Sequence, residues 1–186
     1  MYELSLFILD LAQNSLSADA RLVRLWLVES ARRNTMTVSV ADNGKGMPAD
    51  VLARAVDPFM TTKRERRKRI GLGLPFFKQM VEDCGGCFRI KSWPGRGTVV
   101  TGTYPLDNVD QPPVGAFGET ALGLVAANPG VDFRITRRMD ATAHVFDTRA
   151  VRAVLGAEAQ ALWQTPEVLA WMRSELADCG PPETNN

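Results

Sequence analysis

The sequence predicts an α/β fold, a two-layer α/β sandwich in which a mixed sheet carries its helices on one face. The first observation is a stripe of Leu4, Ile8 and Leu11 that recurs at helical spacing. The second is the alternation of apolar and polar residues over 22–28 and 35–41, which is typical of half-buried strands. The third is the order of elements that follows, namely helix, strand, strand, helix, loop, helix, strand, strand. Together they favour helices packed on one side of a mixed sheet.

Each element is bounded by residues that start or stop it. Pro48 and Pro75 lie in the first turns of two predicted helices, where a proline is tolerated. Gly85-Gly86 ends the second of these helices. Residues 32–34 make a hairpin turn, and residues 94–97 join two later strands. The predicted helices span residues 2–18, 48–56, 74–84, 119–127, 148–155 and 166–177. The predicted strands span residues 22–28, 35–41, 88–93, 98–104, 132–137 and 142–146.

Composition divides the chain at residues 107–118, where asparagine, aspartate, proline and glycine mark a linker. We therefore expect a main domain over 1–106 and a small C-terminal α/β appendage over 119–180, with a frayed tail at 181–186. The appendage is expected to bind a partner protein.

Bulk charge and hydropathy exclude some partners. The 186 residues carry a formal net charge of +1, which gives no overall attraction to nucleic acid or to an anionic membrane. No apolar run approaches the roughly 18 residues of a membrane span, and residues 1–20 lack the pattern of a secretory signal. We expect a cytoplasmic protein that binds neither nucleic acid nor membrane.

The first helix carries a polar pair at one-turn spacing. Asp10 and Asn14 lie four residues apart, so their side chains point to the same side of the helix. An amide oxygen can ligate Mg²⁺, and a carboxylate one turn away can act as a general base. Taken alone, the pair fits a solvated helix edge equally well.

Two glycine-containing segments can bind the two ends of a nucleotide. In the run Asp42-Asn43-Gly44-Lys45-Gly46-Met47, a carboxylate at a strand end can accept the exocyclic amino group of adenine. In Gly71-Leu72-Gly73-Leu74, a glycine pair opens a helix, where backbone N–H groups and the helix dipole suit phosphate. An ordinary turn and a flexible loop closure are the alternatives for each segment by itself.

Two more segments lie in the expected order. Phe59-Met60-Thr61-Thr62-Lys63 places a lysine where it can reach a terminal phosphate. Gly95-Arg96-Gly97-Thr98 opens a strand, and Thr98 can bond Asp42 or a bridging water. The six arginines and lysines within 61–70 suit a triphosphate, although a solvated basic loop explains the outer ones as well.

These five segments together resemble the GHKL superfamily of ATPases, which includes gyrase, the 90-kDa chaperone, sensor histidine kinases and mismatch-repair proteins. The resemblance covers residues 6–106 and implies a Bergerat-type fold with ATP and Mg²⁺ as cofactors. It implies that Asp10 is catalytic, that Asn14 ligates the metal and that Phe59 hinges a lid over the nucleotide. The positions that it assigns to nucleotide binding are Asn14, Asp42, Gly44, Gly46, Met47, Phe59, Thr62, Lys63, Gly71, Leu72, Gly73, Leu74 and Thr98.

The sequence departs from that family at two places. The family usually has a glutamate where this chain has Asp10, and the segment 61–70 is a short lid. Both departures predict slow hydrolysis. Two functions stay open, namely an enzyme that transfers the γ-phosphate to a separate protein or hydrolyses ATP slowly, and a non-catalytic ATP-sensing module that regulates a partner.

The single histidine and a pair of cysteines are both expected to be structural, and two further segments point to a partner. His144, the single histidine, lies in an alternating strand and is expected to be structural, so self-phosphorylation on histidine is not expected. Cys84 and Cys87 have CxxC spacing, for which we expect a helix-ending turn, with a redox pair or half of a metal site as the alternatives. Residues 123–129 and 145–149 resemble small stand-alone ATP-binding proteins whose genes lie near iron-only hydrogenase genes, which implies a hydrogenase-associated partner.

Overall fold

The computed structural model describes residues 3–57 and 73–177. Its helices are α1 (Leu4–Ser17), α2 (Ala49–Ala55), α3 (Gly73–Asp83), α4 (Phe117–Ala127), α5 (Thr148–Leu155), α6 (Ala159–Leu162) and α7 (Pro166–Ala177). Its strands are β1 (Leu22–Ser30), β2 (Thr35–Asp42), β3 (Cys87–Trp93), β4 (Gly97–Tyr104), β5 (Asp132–Met139) and β6 (Thr142–Asp147). Within the described ranges, no helix is both long enough and apolar enough to cross a bilayer.

The strands form one six-stranded mixed sheet in the order β3-β4-β2-β1-β5-β6. Neighbouring strands are antiparallel except β1 and β5, which run parallel. Alternate side chains of each strand point to opposite faces. Val23, Leu25 and Leu27 of β1 are buried under the helices, as are Val38 and Val40 of β2. The predicted class, a mixed sheet with helices on one face, is confirmed.

Helix α1 crosses the middle of the helical layer. Its buried residues follow the predicted stripe, and the polar residues Asp10 and Gln13 remain exposed. Helix α3 packs beside α1, where the rings of Phe7 and Phe77 lie 6.2 Å apart between centroids. Because α1 and α3 lie side by side, the residues on their facing edges come together at one end of the sheet.

Residues 119–177 add to this sheet instead of forming one of their own. Strand β5 pairs with β1 along its length, from Leu22 opposite Asp132 to Glu29 opposite Met139. Helix α4 packs against α1 and α7, and one apolar core spans both parts of the chain. The division of the chain at residues 107–118 stays a prediction.

The sequence predicted no element between residues 155 and 166, whereas the structure has a 3₁₀ turn (Gly156–Glu158) and then α6. These elements bring Trp163 to full burial, where its indole N–H donates to the Val125 carbonyl at 3.1 Å. The Arg152 guanidinium lies 4.2 Å from the centre of the Trp163 ring. Long-range contacts therefore hold a segment that local periodicity could not identify.

Candidate functional site

The carboxylate of Asp42 is the most constrained of the predicted site groups. Asp42 is the last residue of β2 and is half-buried. One carboxylate oxygen, Oδ1, accepts the Gly44 N–H at 2.9 Å and the Thr98 N–H at 3.3 Å. The other oxygen, Oδ2, accepts the Ser15 hydroxyl at 2.9 Å. Because Oδ1 already has two donors and Oδ2 has one, Oδ2 retains the capacity to accept a hydrogen bond from a ligand.

Ser15 is a site residue that the sequence reading missed. It lies within the buried, mainly apolar face of α1, with 3% of its surface exposed. Its hydroxyl, however, crosses from the helix to Asp42 and also lies 3.4 Å from the Leu11 carbonyl. The sequence did contain a signal for this contact, because a serine stands within the apolar stripe directly after Asn14. A buried hydroxyl needs a hydrogen-bond partner.

We expect Ser15→Ala to weaken ATP binding about 5- to 10-fold while the protein stays folded. The substitution removes the donor that orients Asp42 Oδ2, and a typical hydrogen bond contributes about 1 kcal/mol. The measurement is calorimetric titration with ATP. Ser5→Ala is the matched control, because Ser5 is equally buried on the same helix but bonds Glu3 instead. Equal affinities for Ser15→Ala and the parent would show that Ser15 does not orient the carboxylate.

The glycines next to Asp42 are required by close contacts within the protein. Gly46 has a φ of +62°, and a Cβ placed on it would meet the Trp93 carbonyl. Gly97 has a φ of +107°, and its Cβ would meet the Asp42 carbonyl. A Cβ on Gly44 would lie 2.5 Å from the Ala18 carbonyl oxygen. These glycines let the loop after β2, the β3–β4 turn and the end of α1 approach one another, and their contact with a base stays a prediction.

Thr98 bonds Asp42, which is one of the two partners that the sequence suggested for it. Its backbone N–H, and not its hydroxyl, donates to the carboxylate. The hydroxyl pairs with Ser92 Oγ at 2.8 Å, and Ser92 Oγ also accepts the Met47 N–H at 2.8 Å. The hydroxyl is therefore committed to a network that fixes the loop after β2 against β3. Ser92 is a second residue that the sequence reading missed.

The polar pair of α1 lies beside the start of α3. Asp10 is exposed and Asn14 is half-buried. A Cβ on Gly73 would lie 2.6 Å from the Asp10 Cβ and 3.0 Å from one of its carboxylate oxygens. The structure thus brings Asp10 to the first residue of the helix that was expected to face phosphate. Leu74 points into the core, with 7% of its surface exposed.

Five predicted site residues lie outside the described ranges. They are Phe59, Thr62, Lys63, Gly71 and Leu72. Their roles in the lid and the phosphate loop stay predictions.

The CxxC segment forms the helix-ending turn that was expected. Gly85 has a φ of +68°, and the Gly86 N–H donates to the Val81 carbonyl, which closes the end of α3. Cys84 is buried whereas Cys87 is exposed. Burial raises the pKa of the Cys84 thiol above its usual value, with smaller contributions from Asp110 and Asp83. Since the thiolate is the reactive form, this environment makes Cys84 a poor nucleophile.

A family comparison fits this geometry. Residues 3–108 match the family described as histidine kinase-, DNA gyrase B-, and HSP90-like ATPase. The match covers more than half of the chain and includes every predicted site residue. The chain belongs to this family of histidine-kinase-like ATPase domains.

Curated relatives place it near sensor kinases. The chain is 35% identical over 89 residues to the C4-dicarboxylate transport sensor protein DctB of Pseudomonas aeruginosa, a match that covers 48% of this chain and 14% of that protein. It is 37% identical over 99 residues to the sensor protein kinase FleS of the same species, covering 53% and 24%. Sporulation kinase D of Bacillus subtilis is 35% identical over 99 residues, covering 53% and 19%. The chain thus matches less than a quarter of the length of each.

A solved structure shows the same fold. The N-terminal domain of a DNA repair protein superposes with a TM-score of 0.53 at 12% identity, covering 86% of this chain and 58% of that one. At this identity the likeness supports the fold and not a shared activity.

Proposed function

We propose that this chain binds ATP and that Asp42 reads the adenine base. The observation that carries the proposal is the fixed Asp42 carboxylate. The backbone N–H groups of Gly44 and Thr98 hold one carboxylate oxygen. The other oxygen accepts the Ser15 hydroxyl and can accept one more hydrogen bond, from the amino group of adenine. A half-buried carboxylate held in this way can form a charge-assisted hydrogen bond, which is stronger than a neutral one.

We propose Asn14 as the protein ligand of Mg²⁺. The Asn14 amide oxygen is a ligand that suits a hard cation, and Asn14 lies one turn along α1 from Asp10, which lies beside the start of α3. Mg²⁺ takes few ligands from proteins and completes its shell with water and substrate phosphates. Bound Mg²⁺ would neutralise phosphate charge.

We expect Asn14→Ala to remove most of the Mg²⁺-dependent part of ATP affinity. The half-buried side chain of Asn14 makes no hydrogen bond to the described residues, so its loss should leave the fold intact. The measurement is ATP titration with Mg²⁺ and with EDTA. Gln13→Ala, an exposed neighbour on α1, is the control. If Mg²⁺ strengthens ATP binding equally in both variants, Asn14 is not the ligand.

For activity, we propose phosphotransfer to a separate protein or slow hydrolysis of ATP in the cytoplasm. The similarity to sensor kinases supports this class. The partner would bind through residues 119–180. An apolar groove between α5 and α7 supports this assignment, since it is lined by Val154 and Trp171, which are 85% and 44% exposed. The resemblance of residues 123–129 and 145–149 suggests a hydrogenase-associated partner.

The alternative is an ATP-sensing module. The pairing of β5 with β1 favours this alternative. Through β5, the proposed partner-binding region shares a sheet with β1, and β1 lies next to β2, which ends at Asp42. Incubation with γ-labelled ATP and a cell extract separates the two functions. An enzyme transfers label to another protein or releases it as labelled phosphate, and Asp42→Asn lowers either signal. A sensor transfers none, yet a non-hydrolysable ATP analogue changes which protein it retains.

A further inference from the structure

The face of the sheet opposite the helices is open within the described part of the chain. Side chains at alternate positions of β1 illustrate this, since Val23 and Leu25 are buried while Arg24 is exposed and Trp26 is half-buried. On β5, Arg134 and Arg138 are exposed in the same way. This face therefore presents side chains to solvent across all six strands.

Cross-strand register gathers positive charge on this face. Residues that lie opposite one another on neighbouring strands form a row across the sheet. One such row contains Lys91, Arg24 and Arg134 and ends at Asp147. Arg89 shares the next row with Trp26, and Arg138 lies in the row beyond. We call this set the basic sheet face, and its members are Arg24, Trp26, Arg89, Lys91, Arg134 and Arg138.

The one carboxylate in these three rows is already engaged. Asp147 accepts two hydrogen bonds from the Arg149 side chain, at 2.9 and 2.6 Å, and lies 3.9 Å from Arg134. The hydrogen bond from Arg149 is the main cause that lowers the pKa of Asp147 below its usual value, so the carboxylate stays charged. It is shared between Arg149 and Arg134, and these three rows hold no carboxylate for the other four cations of the face.

The fold itself gains little from this arrangement. Arg24 and Arg134 are directly opposite on β1 and β5, and like charges at such positions are destabilising. Within the described residues, the side chains of Arg24, Arg89 and Lys91 make no hydrogen bond or ion pair. Cations on the edge strand β3 can block edge-to-edge pairing, but β1 lies between β2 and β5 and needs no such protection.

We propose that the basic sheet face docks an acidic surface of a partner protein. Six strands about 4.8 Å apart and about 26 Å long offer roughly 600 Å², close to the ~800 Å² that one side of a standard interface buries. Arginine and tryptophan are the residue types enriched in interfaces and their hot spots. The chain as a whole carries +1, so it lacks the long-range attraction that nucleic-acid binding relies on. The basic sheet face is a second docking surface, separate from the apolar groove between α5 and α7, and it rests on the proposed function only in requiring a partner protein.

The floor of the face suits a flat protein surface. Between the basic strands, Ser39 pairs with Thr101 at 2.9 Å and Thr37 pairs with Thr103 at 3.1 Å. Their hydroxyls are thus mutually satisfied and leave a mildly polar centre beside Trp26. The cations on both sides of this centre can then contact carboxylates of the partner at the rim of the interface. Charges at an interface rim determine partner choice and association rate.

The test uses a fluorescent 20-residue poly-L-glutamate as an acidic probe, titrated by anisotropy at low salt. The face variant is Arg24→Gln/Arg89→Gln/Lys91→Gln. The control variant is Arg54→Gln/Lys78→Gln/Arg173→Gln, whose residues lie on the helices and whose ion pairs are open to solvent, so that these pairs contribute little to stability. Each variant loses three positive charges, from +1 to −2. We expect the face variant to bind the probe at least tenfold more weakly than the control variant does.

Equal weakening in both variants would overturn the proposal, since net charge alone would then explain binding. Tighter binding of a 20-residue oligo-dT than of poly-glutamate, lost in the face variant, would overturn it in favour of nucleic acid. Each variant is also titrated with ATP and Mg²⁺. Intact ATP binding with lost probe binding supports the docking surface, whereas failure of the parent to bind ATP would overturn the proposed function separately.

Discussion

Asp42→Asn is expected to lower ATP affinity about 30-fold or more while the protein keeps its fold. Asparagine has the shape of aspartate, and its carbonyl oxygen can accept the same Gly44 and Thr98 N–H groups. Those two donors fix the amide so that its NH₂ group replaces Oδ2. The adenine amino group would then meet a donor instead of an acceptor. Losing a charge-assisted hydrogen bond costs about 2 kcal/mol, and each 1.4 kcal/mol is about tenfold in affinity.

The same geometry predicts a change in base preference. Inosine triphosphate presents a carbonyl oxygen where ATP presents its amino group, so it suits the asparagine amide. Calorimetric titration of parent and variant with both nucleotides should show the ratio of affinities moving toward inosine triphosphate in Asp42→Asn. Asp19→Asn is the control, because Asp19 lies just after α1 with a φ of +59° that asparagine also adopts. Unchanged ATP affinity in Asp42→Asn would remove Asp42 from base recognition.

Local patterns were sufficient for most of the fold. The stripe of α1 and the alternation in β1 and β2 predicted these elements to within two residues at each end. They succeed because one face of each element packs on a core, and burial sets the period of apolar residues. The placement of Asp42 at a strand end follows from the same argument, since the alternation of β2 ends there.

Contacts between distant parts of the chain could not be read in this way. The pairing of β5 with β1 joins residues about 110 positions apart, and no local period encodes it. The Ser15–Asp42 hydrogen bond is similar, because a serine within an apolar stripe identifies no partner. Thr98 was placed near Asp42, but which of its groups makes the bond depends on Ser92, which competes for the hydroxyl.

Asp10→Asn is expected to lower ATP turnover at least tenfold, from a parent rate already well below the ~10 s⁻¹ typical of enzymes. General-base help contributes ~10²–10⁴ in rate when it is well placed. Asp10 is exposed beside the start of α3, where a short side chain reaches less far toward a water on the γ-phosphate. Steady-state phosphate release with Mg²⁺ measures both forms, and Asp19→Asn controls for the lost charge.

Asp10→Glu tests whether reach is the limiting factor. The added methylene extends the carboxylate without changing its charge, and the exposed position of Asp10 leaves room for it. We expect Asp10→Glu to release phosphate faster than the parent, with ATP affinity little changed. A slower Asp10→Glu, or full activity in Asp10→Asn, would show that another group acts as base. If the parent itself turns over rapidly, the chain is an autonomous ATPase. If turnover is slow in the parent and rises only in Asp10→Glu, ATP stays bound to the parent long enough for a partner to bind. The parent site would then suit phosphotransfer or ATP sensing.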